Sequence, residues 1–291
     1  MRVVSDILIG VEELTDAMLS SAPPVILDVR WQLGRTDGHE RYRQGHLPGS
    51  VYVDLDTELA DPPSPELGRH PLPSPARLQD AARRWGLDDT SRVVVYDDIG
   101  NLASARAWWL LRWGGLTDVR ILDGGLGAWD AAGMRLSKGD ATPRPGRVTL
   151  SAGHLPTVTV DEVADLSARI AAGDTPSPAL LLDARAGERY RGETEPVDPR
   201  AGHIPGAHSV PTAGNLDADG RFLSPSQLRE RFTAAGVTDA TRAVVYCGSG
   251  VNAAHELAAI EIAGFEGILF PGSWSQWSAD PNRPAGSGAQ P

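Results

Sequence analysis

Cys247 is the residue with the clearest capacity for chemistry, because it is the only cysteine in the 291 residues and lies beside a glycine-rich turn. The apolar run Ala243-Val-Val-Tyr246 leads up to it, and Gly248-Ser-Gly250 follows it. Such a turn can direct several backbone N–H groups at one sulfur, and the N-terminus of a following helix adds partial positive charge. Both effects favour the thiolate, which is the nucleophilic form of cysteine. The alternative is a buried cysteine that acts only as a small hydrophobic side chain.

The elements that must position Cys247 are a buried strand before it and a helix after it, which Asn252 is expected to cap. Short apolar strands are predicted at residues 25–28, 93–96 and 119–122, and strongly apolar helices at 103–113 and 253–263. Ser74-Pro75 and Ser224-Pro225 are typical of an N-cap followed by proline in the first helical position. Buried strands joined by helices predict an α/β fold with mostly parallel sheets.

The chain contains one long internal repeat. Residues 71–98 align without a gap with residues 221–248, and three shorter motifs recur in the same order around that block. The recurring motifs are Leu27-Asp-Val-Arg30 with Leu182-Asp-Ala-Arg185, Gly45-His-Leu-Pro-Gly49 with Gly202-His-Ile-Pro-Gly206, and Gly124-Gly-Leu-Gly-Ala-Trp129 with Gly272-Ser-Trp-Ser-Gln-Trp277. This pattern indicates a tandem duplication. Asp97 stands where the second copy has Cys247, so only one copy keeps a nucleophile.

Two tandem α/β domains are therefore predicted, each a mostly parallel sheet flanked by helices, and the length fits two domains. The expected bounds are 1–136 for a non-catalytic first domain, 137–156 for a linker, 157–280 for a catalytic second domain and 281–291 for a flexible tail.

Composition and charge narrow the function classes. No apolar run approaches the roughly 18 residues of a membrane span, and the first residues do not have the pattern of a signal peptide. One cysteine cannot form an intrachain disulfide, so we expect a reducing, cytoplasmic location. The net charge of −11 argues against nucleic acid or an anionic membrane as a partner. An anionic substrate would need arginines in the binding site to overcome the negative charge of the whole chain.

Taken together, these motifs resemble the tandem-domain rhodanese-type sulfurtransferases over nearly the whole chain. The resemblance rests on the Asp-x-Arg and Gly-His-Ile/Leu-Pro-Gly motifs in both halves, the cysteine loop in the second half only and the Gly-Ser-Trp-x-x-Trp motif near the end. The loop Cys247-Gly-Ser-Gly-Val251 is most similar to that of the 3-mercaptopyruvate sulfurtransferases, because thiosulfate-preferring relatives have basic residues directly after the cysteine. Asn252 departs from the threonine usual in that loop, which leaves the donor preference open.

The resemblance implies a chemistry for the second domain. Cys247 would take sulfur from 3-mercaptopyruvate, a small anionic donor, and pass it as a persulfide to cyanide or to a thiol, either a small thiol or a thioredoxin-like protein. The donor-binding residues implied are Arg189, Arg200, Gly248, Gly250, Val251 and Asn252. The alternative for the two arginines is a solvated position among acidic neighbours. Arg185 is expected to be structural, paired with Asp183.

A proton relay is also implied by the resemblance, through Ser249 in the cysteine loop and a histidine and an aspartate of the first domain. The matching residues are His46, in the Gly-His-Leu-Pro-Gly motif, and Asp37. The structural alternative is equally open, because His203 occupies the same motif in the second half without any assigned chemistry.

Three other function classes are alternatives to this interpretation. A rhodanese-like phosphatase would need an arginine shortly after the cysteine to grip phosphate, and the sequence has none there. A thiosulfate:cyanide sulfurtransferase remains the main alternative, and a non-catalytic sulfur carrier or scaffold is the alternative of another class. We expect no metal and no other cofactor, because one cysteine and scattered histidines offer no ligand spacing.

Overall fold

The computed structural model describes residues 7–173 and 179–291, which form two α/β domains. Within these two ranges, no helix has the length and apolar character needed to span a membrane.

The first domain is built on a parallel sheet of five strands. The strands are β1 (Leu8–Ile9), β2 (Val25–Asp28), β3 (Val51–Tyr52), β4 (Val93–Tyr96) and β5 (Val119–Leu122). The helices are α1 (Val11–Met18), α2 (Gly38–Gln44), α3 (Leu55–Glu58), α4 (Pro75–Arg84), α5 (Ser104–Trp113) and α6 (Gly125–Ala131). The strand order is β1-β5-β4-β2-β3, so β4 lies in the middle of the sheet.

The second domain repeats this plan with four parallel strands. The strands are β6 (Ala179–Asp183), β7 (Ala207–Ser209), β8 (Arg242–Tyr246) and β9 (Gly267–Leu269). The helices are α7 (Val160–Ala171), α8 (Gly187–Tyr190), α9 (Pro225–Ala234), α10 (Val251–Ile262) and α11 (Ser273–Ala279), with a 3₁₀ turn at Thr212–Asn215. The strand order is β7-β6-β8-β9, which makes β8 an interior strand like β4.

Local sequence signals account for these elements. The predicted strands at 25–28, 93–96 and 119–122 are confirmed as β2, β4 and β5, and all four residues of β4 are buried. The predicted serine caps are also confirmed: Ser74 and Ser224 accept hydrogen bonds from backbone N–H groups in the first turns of α4 and α9. The fold class predicted from the sequence is therefore correct.

The repeated Asp-x-Arg pairs have the structural role expected of them. Arg30 Nη2 lies 2.7 Å from Asp28 Oδ2, and Arg185 Nη2 lies 2.6 Å from Asp183 Oδ2, with all four side chains buried. Each arginine also donates to a glycine carbonyl at the start of the repeated Gly-His motif, that of Gly45 or Gly202. The pair thus fastens this motif to the end of the strand that carries the aspartate.

The two domains share an apolar interface formed by α5 and α10, which pack against each other. All ten residues of α5 are buried, and in α10 only Asn252 and Glu261 are not. At the far end of the interface Arg112 forms two hydrogen bonds with Glu261, of 2.7 and 2.9 Å. Because one hydrophobic core runs through both domains, their relative position is fixed by close packing.

Each domain also extends a loop to the other. In the first domain the loop that contains Arg69 reaches the second domain, where the Arg69 N–H donates to Ser275 Oγ at 3.1 Å. In the second domain the loop 216–222 reaches the first, where the Phe222 N–H donates to Asp123 Oδ1 at 2.9 Å. The first loop also places Arg69 over Gly248, and the second places Leu216 against Gly100, so the two loops cover the turns that follow β8 and β4, respectively.

The predicted linker, 137–156, and the predicted tail, 281–291, both contact the domains. The predicted linker follows the first domain, with Val148 buried and its N–H bonded to the carbonyl of Leu87. The expected flexibility of 281–291 requires correction. Arg283 donates to Asp161, the Pro284 carbonyl accepts from Trp277 Nε1, and Gly286 pairs with His203. These contacts hold residues 283–286 against the second domain.

The turn after β4 shows why the first domain has no nucleophile. The Asp97 carboxylate accepts four backbone hydrogen bonds of 2.8–2.9 Å, and the side chain is fully buried. The donors are the N–H groups of Ile99, Asn101, Ala103 and Ser104. A ring of N–H groups that could hold an external anion is thus filled by the chain's own carboxylate.

We predict that Asp97→Ala destabilises the first domain, because four N–H groups, three of them buried, lose their acceptor. Unsatisfied buried donors cost about 1–3 kcal/mol each, and partial entry of water should reduce the total to roughly 2–5 kcal/mol. Urea unfolding should show this as a lower midpoint. Asp130→Ala on the exposed side of α6 is the control and should not shift the midpoint. An equally small effect of both substitutions would contradict the role assigned to Asp97.

Candidate active site

Cys247 lies directly after β8, in the turn that leads into α10. Its side chain is buried, and the Gly250 N–H donates to Sγ at 3.2 Å. The backbone of Cys247 is held on both sides, because its N–H donates to Ser273 Oγ and its carbonyl accepts from the Trp274 N–H. The sulfur therefore has a fixed position at the N-terminus of a 12-residue helix, where partial positive charge favours an anion.

Gly250 gives the turn its shape. Its φ of 78° is in the left-handed region, and a methyl group there would lie 2.6 Å from the carbonyl oxygen of Pro271. Gly250 is also the N-cap of α10, which has no side-chain cap. The prediction that Asn252 caps this helix is therefore wrong: Asn252 is the second helical residue. The donor-binding roles of Gly248, Gly250, Val251 and Asn252 remain predictions.

A buried cation lies beneath the cysteine loop. Arg106 of α5 is fully buried and donates to the Gly250 carbonyl at 3.2 Å, across the domain interface. Burial lowers the pKa of Arg106 to about 10, and the attraction of the Cys247 side chain opposes that shift. The guanidinium remains charged at neutral pH and adds a positive field to that of the helix N-terminus.

Two arginines lie over Gly248, and they come from different domains. A methyl group added at Gly248 would lie 2.9 Å from Arg69 Nη2 and 3.4 Å from Arg189 Nη1. Arg189 was singled out from the sequence, whereas Arg69 was not. Guanidinium groups bind carboxylates well, so this pair can hold an anionic donor beside the sulfur. The absence of a side chain at position 248 keeps the space between them open.

The structure does not support the prediction that Arg200 binds the donor. Its three nitrogens donate to four backbone carbonyls at 2.7–3.1 Å. These carbonyls belong to Trp277, Ser278, Asp280 and Arg283. Arg200 thus anchors the end of α11 and the segment after it, and its donors are used in the fold.

The assignment of His46 and Asp37 to the relay is also wrong. His46 is buried, its Nδ1–H donates to the Tyr42 carbonyl at 3.0 Å, and its ring stacks on the Tyr42 ring at 4.0 Å. His203 has the same two contacts with Tyr190, at 2.8 and 3.9 Å. Asp37 is paired with Arg35 and Arg41, away from the cysteine loop. The repeated histidine therefore has a structural role in both domains.

A different histidine contacts Ser249. His70 Nδ1 lies 2.7 Å from Ser249 Oγ, and His70 Nε2 lies 3.0 Å from Asp56 Oδ1. Because a carboxylate only accepts hydrogen bonds, Nε2 carries the proton, and in the neutral ring Nδ1 accepts from the Ser249 hydroxyl. Burial lowers the pKa of His70 below its usual value, although Asp56 opposes this. The hydrogen bond from His70 in turn lowers the pKa of Asp56. The ring is therefore neutral at pH 7 and can accept a proton from Ser249.

The sequence did contain a signal for these residues. Immediately before the gap-free repeat block the first copy reads Arg69-His70, whereas the second copy reads Asp219-Gly220. An arginine and a histidine present in one copy only are better candidates for chemistry than a histidine present in both. Asp56 carries no comparable signal, because its role depends on the packing of α3 against the loop that holds His70.

Comparison with known proteins supports a common family for both halves. Residues 11–132 and 162–280 each match the family model of the rhodanese-like domain. SseB from Mycobacterium tuberculosis, named provisionally as a thiosulfate sulfurtransferase, is 47% identical over 99% of both chains. The 3-mercaptopyruvate sulfurtransferase of Escherichia coli is 34% identical over 84% of each chain. A Pseudomonas aeruginosa protein named provisionally for the same activity is 45% identical over 94% of this chain and 95% of its own.

Solved structures agree in fold. SseA from Escherichia coli, described as a 3-mercaptopyruvate sulfotransferase with the rhodanese fold, superposes with a TM-score of 0.79 at 31% identity, covering 92% of this chain and 98% of its own. The Tum1 protein of Saccharomyces cerevisiae has a TM-score of 0.85 at 22% identity, with 98% and 99% of the two chains covered, which supports the fold alone. The chain therefore belongs to the rhodanese-like family and is a sulfurtransferase with two rhodanese-like domains, of which only the second carries a cysteine.

Proposed function

We propose that this sulfurtransferase uses 3-mercaptopyruvate as its donor and carries the sulfur as a persulfide on Cys247. The thiolate attacks the donor sulfur, the carbon–sulfur bond breaks, and pyruvate leaves as its enolate. The Gly250 N–H and the N-terminus of α10 stabilise the sulfur anion, while Arg69 and Arg189 hold the donor carboxylate. A thiol or cyanide then removes the sulfur and restores the thiolate.

The observation that carries the choice of donor is the hydrogen-bonded chain Ser249–His70–Asp56. Transfer from 3-mercaptopyruvate moves one proton, because the donor loses the hydrogen of its thiol and the methylene carbon of the enolate gains one to become pyruvate. Transfer from thiosulfate needs no proton, because the thiolate takes one sulfur and sulfite leaves as a dianion. A neutral histidine joined to a serine in the cysteine loop is suited to carry that proton.

Thiosulfate is the second candidate donor. It is favoured by the name of the 47% identical relative and by the presence of two guanidinium groups at the loop. Against it stands the loop itself, in which Gly248 and Ser249 offer no cation next to the sulfur. Among the acceptors we propose a small thiol, cyanide or a thioredoxin-like protein. A cytoplasmic location is proposed because a lone catalytic thiol needs a reducing environment.

The first prediction of this mechanism concerns the nucleophile. Cys247→Ser should abolish sulfur transfer, because the chain has no other thiol to carry the sulfur. Intact-mass measurement after treatment with donor should show one added sulfur on the wild type and none on the variant, with unchanged circular dichroism. Sulfur loading of the variant would rule out the Cys247 persulfide.

The second prediction concerns donor preference. Because only transfer from 3-mercaptopyruvate uses the Ser249–His70–Asp56 chain, kcat/KM for this donor should exceed that for thiosulfate by about tenfold or more. A charge-assisted hydrogen bond contributes roughly 1.5–3 kcal/mol. Arg189→Ala and Arg69→Ala should each lower the 3-mercaptopyruvate value by about one to two decades. Arg191→Ala is the matched control, because Arg191 pairs with exposed Glu193 and should not contribute. Equal or better use of thiosulfate by the wild type would favour the second candidate.

The third prediction concerns the relay. His70→Gln should lower kcat for 3-mercaptopyruvate by about 100-fold, the lower range for acid–base catalysis, and change thiosulfate turnover only slightly. In the wild type the rate with 3-mercaptopyruvate should fall at acidic pH, because His70 becomes protonated there. The pKa of His70 lies below the usual histidine value, and the variant should not show this acidic decrease in rate. His39→Gln, at an exposed histidine, is the control. A loss of the same size with both donors would mean that His70 only supports the fold.

A further inference from the structure

Asp198 connects the two arginines that face the cysteine loop. Its carboxylate forms an ion pair with Arg69 Nη1 through one oxygen and lies 3.2 Å from Arg189 Nη2 through the other. The Asp198 side chain is only 3% exposed. One carboxylate thus spans two guanidinium groups that come from different domains.

The nitrogens that Asp198 does not contact are those nearest the sulfur loop. Arg69 Nη2 and Arg189 Nη1 are the atoms that a methyl group at Gly248 would meet first, at 2.9 and 3.4 Å. Glu195 accepts from the Nε and Nη2 edge of Arg189, at 3.3 and 2.6 Å. The carboxylates therefore occupy the far sides of both guanidiniums and leave the near sides for a ligand.

The Asp198 side chain has no other partner among the described residues, whereas the loop around it is held by Glu195. The Glu195 carboxylate accepts the backbone N–H groups of Val197 and Asp198, at 3.1 and 3.0 Å. The conformation of this loop is thus maintained by Glu195, and the Asp198 carboxylate forms its ion pairs with Arg69 and Arg189.

The charges in this cluster balance. Arg69 and Arg189 supply two positive charges, and Asp198 and Glu195 supply two negative charges. The neighbouring Arg185–Asp183 pair, which lies 3.5 Å from Glu195, adds no net charge. A monoanionic donor brings the cluster to a net charge of −1, while a dianion brings it to −2. In a partly buried site the second excess charge is costly, because solvent screens it poorly.

We propose that Asp198 is a positioning residue that sets donor specificity: it fixes the spacing of Arg69 and Arg189 and, by cancelling one positive charge, makes their site select monoanionic carboxylate donors over dianions. This inference rests on the proposed function, because it assumes that the donor anion binds to these two arginines. It assigns to one buried carboxylate the choice between the two donor classes that the family uses.

The test compares Asp198→Asn with the wild type, using 3-mercaptopyruvate and thiosulfate on the same preparations. The amide keeps a hydrogen-bond acceptor for one arginine and removes the charge. The ratio of kcat/KM for thiosulfate to that for 3-mercaptopyruvate should rise about fivefold or more, mainly through a lower KM for thiosulfate. A purely structural role would change both donors together and leave the ratio unaltered, which would overturn the proposal.

Two further variants complete the design. Asp198→Ala removes both the charge and the bridge, so KM for 3-mercaptopyruvate should rise about tenfold while saturating donor still loads Cys247 fully. Glu193→Gln, at an exposed neighbour that forms an ion pair with Arg191, should leave both donors unchanged. If the wild type itself prefers thiosulfate, the proposed donor is wrong. If the wild type prefers 3-mercaptopyruvate and Asp198→Asn keeps the same ratio, only the role of Asp198 is wrong.

Discussion

The buried guanidinium of Arg106 holds the two domains together at the point where their parts of the active site meet. It donates to the carbonyls of Leu59, His70 and Pro71 in the first domain and to that of Gly250 in the second. Four carbonyls would lose a charged donor without it, which is costly in a buried interface. The 2.7 Å hydrogen bond between His70 and Ser249 also depends on this alignment, since a shift of about 1 Å would break it. The geometry of the site is therefore a property of the interface.

Much of the fold could be predicted from local sequence patterns, because each pattern reflects a physical requirement that involves residues close together in the sequence. An apolar run such as that of β4 must be buried, and a serine followed by proline satisfies the first turn of a helix. The turn that carries Cys247 was predictable for the same reason, because its glycines and its position after a strand lie within a few residues of one another. Only the capping residue differs from the prediction. The N-cap of α10 is Gly250, in the left-handed conformation, and not Asn252.

The rest of the site depends on contacts between residues that are distant in the sequence. The separation of His70 from Ser249 is 179 residues, and no local pattern predicts that their side chains meet. His46 lies in a motif present in both copies, and the motif itself does not distinguish a role in catalysis from a role in the fold. Arg200 illustrates a related limit: an arginine in an acidic segment looks available for a ligand, whereas four carbonyls from the end of the chain surround it. In this chain the histidine shared by both copies serves the fold, whereas His70, found in one copy, contacts the cysteine loop.

The mutual exchange of loops gives the chain the organisation of a symmetric dimer whose subunits have been joined. The loop with Arg69 covers the turn at Cys247, and the loop 216–222 covers the turn at Asp97, so each half covers the turn that follows an interior strand of the other. The two halves differ in what these positions hold. One turn carries Cys247 and the other an internal carboxylate, and Arg69-His70 in one loop corresponds to Asp219-Gly220 in the other. The second domain therefore cannot form this site in isolation, because Arg69, His70 and Arg106 belong to the first domain.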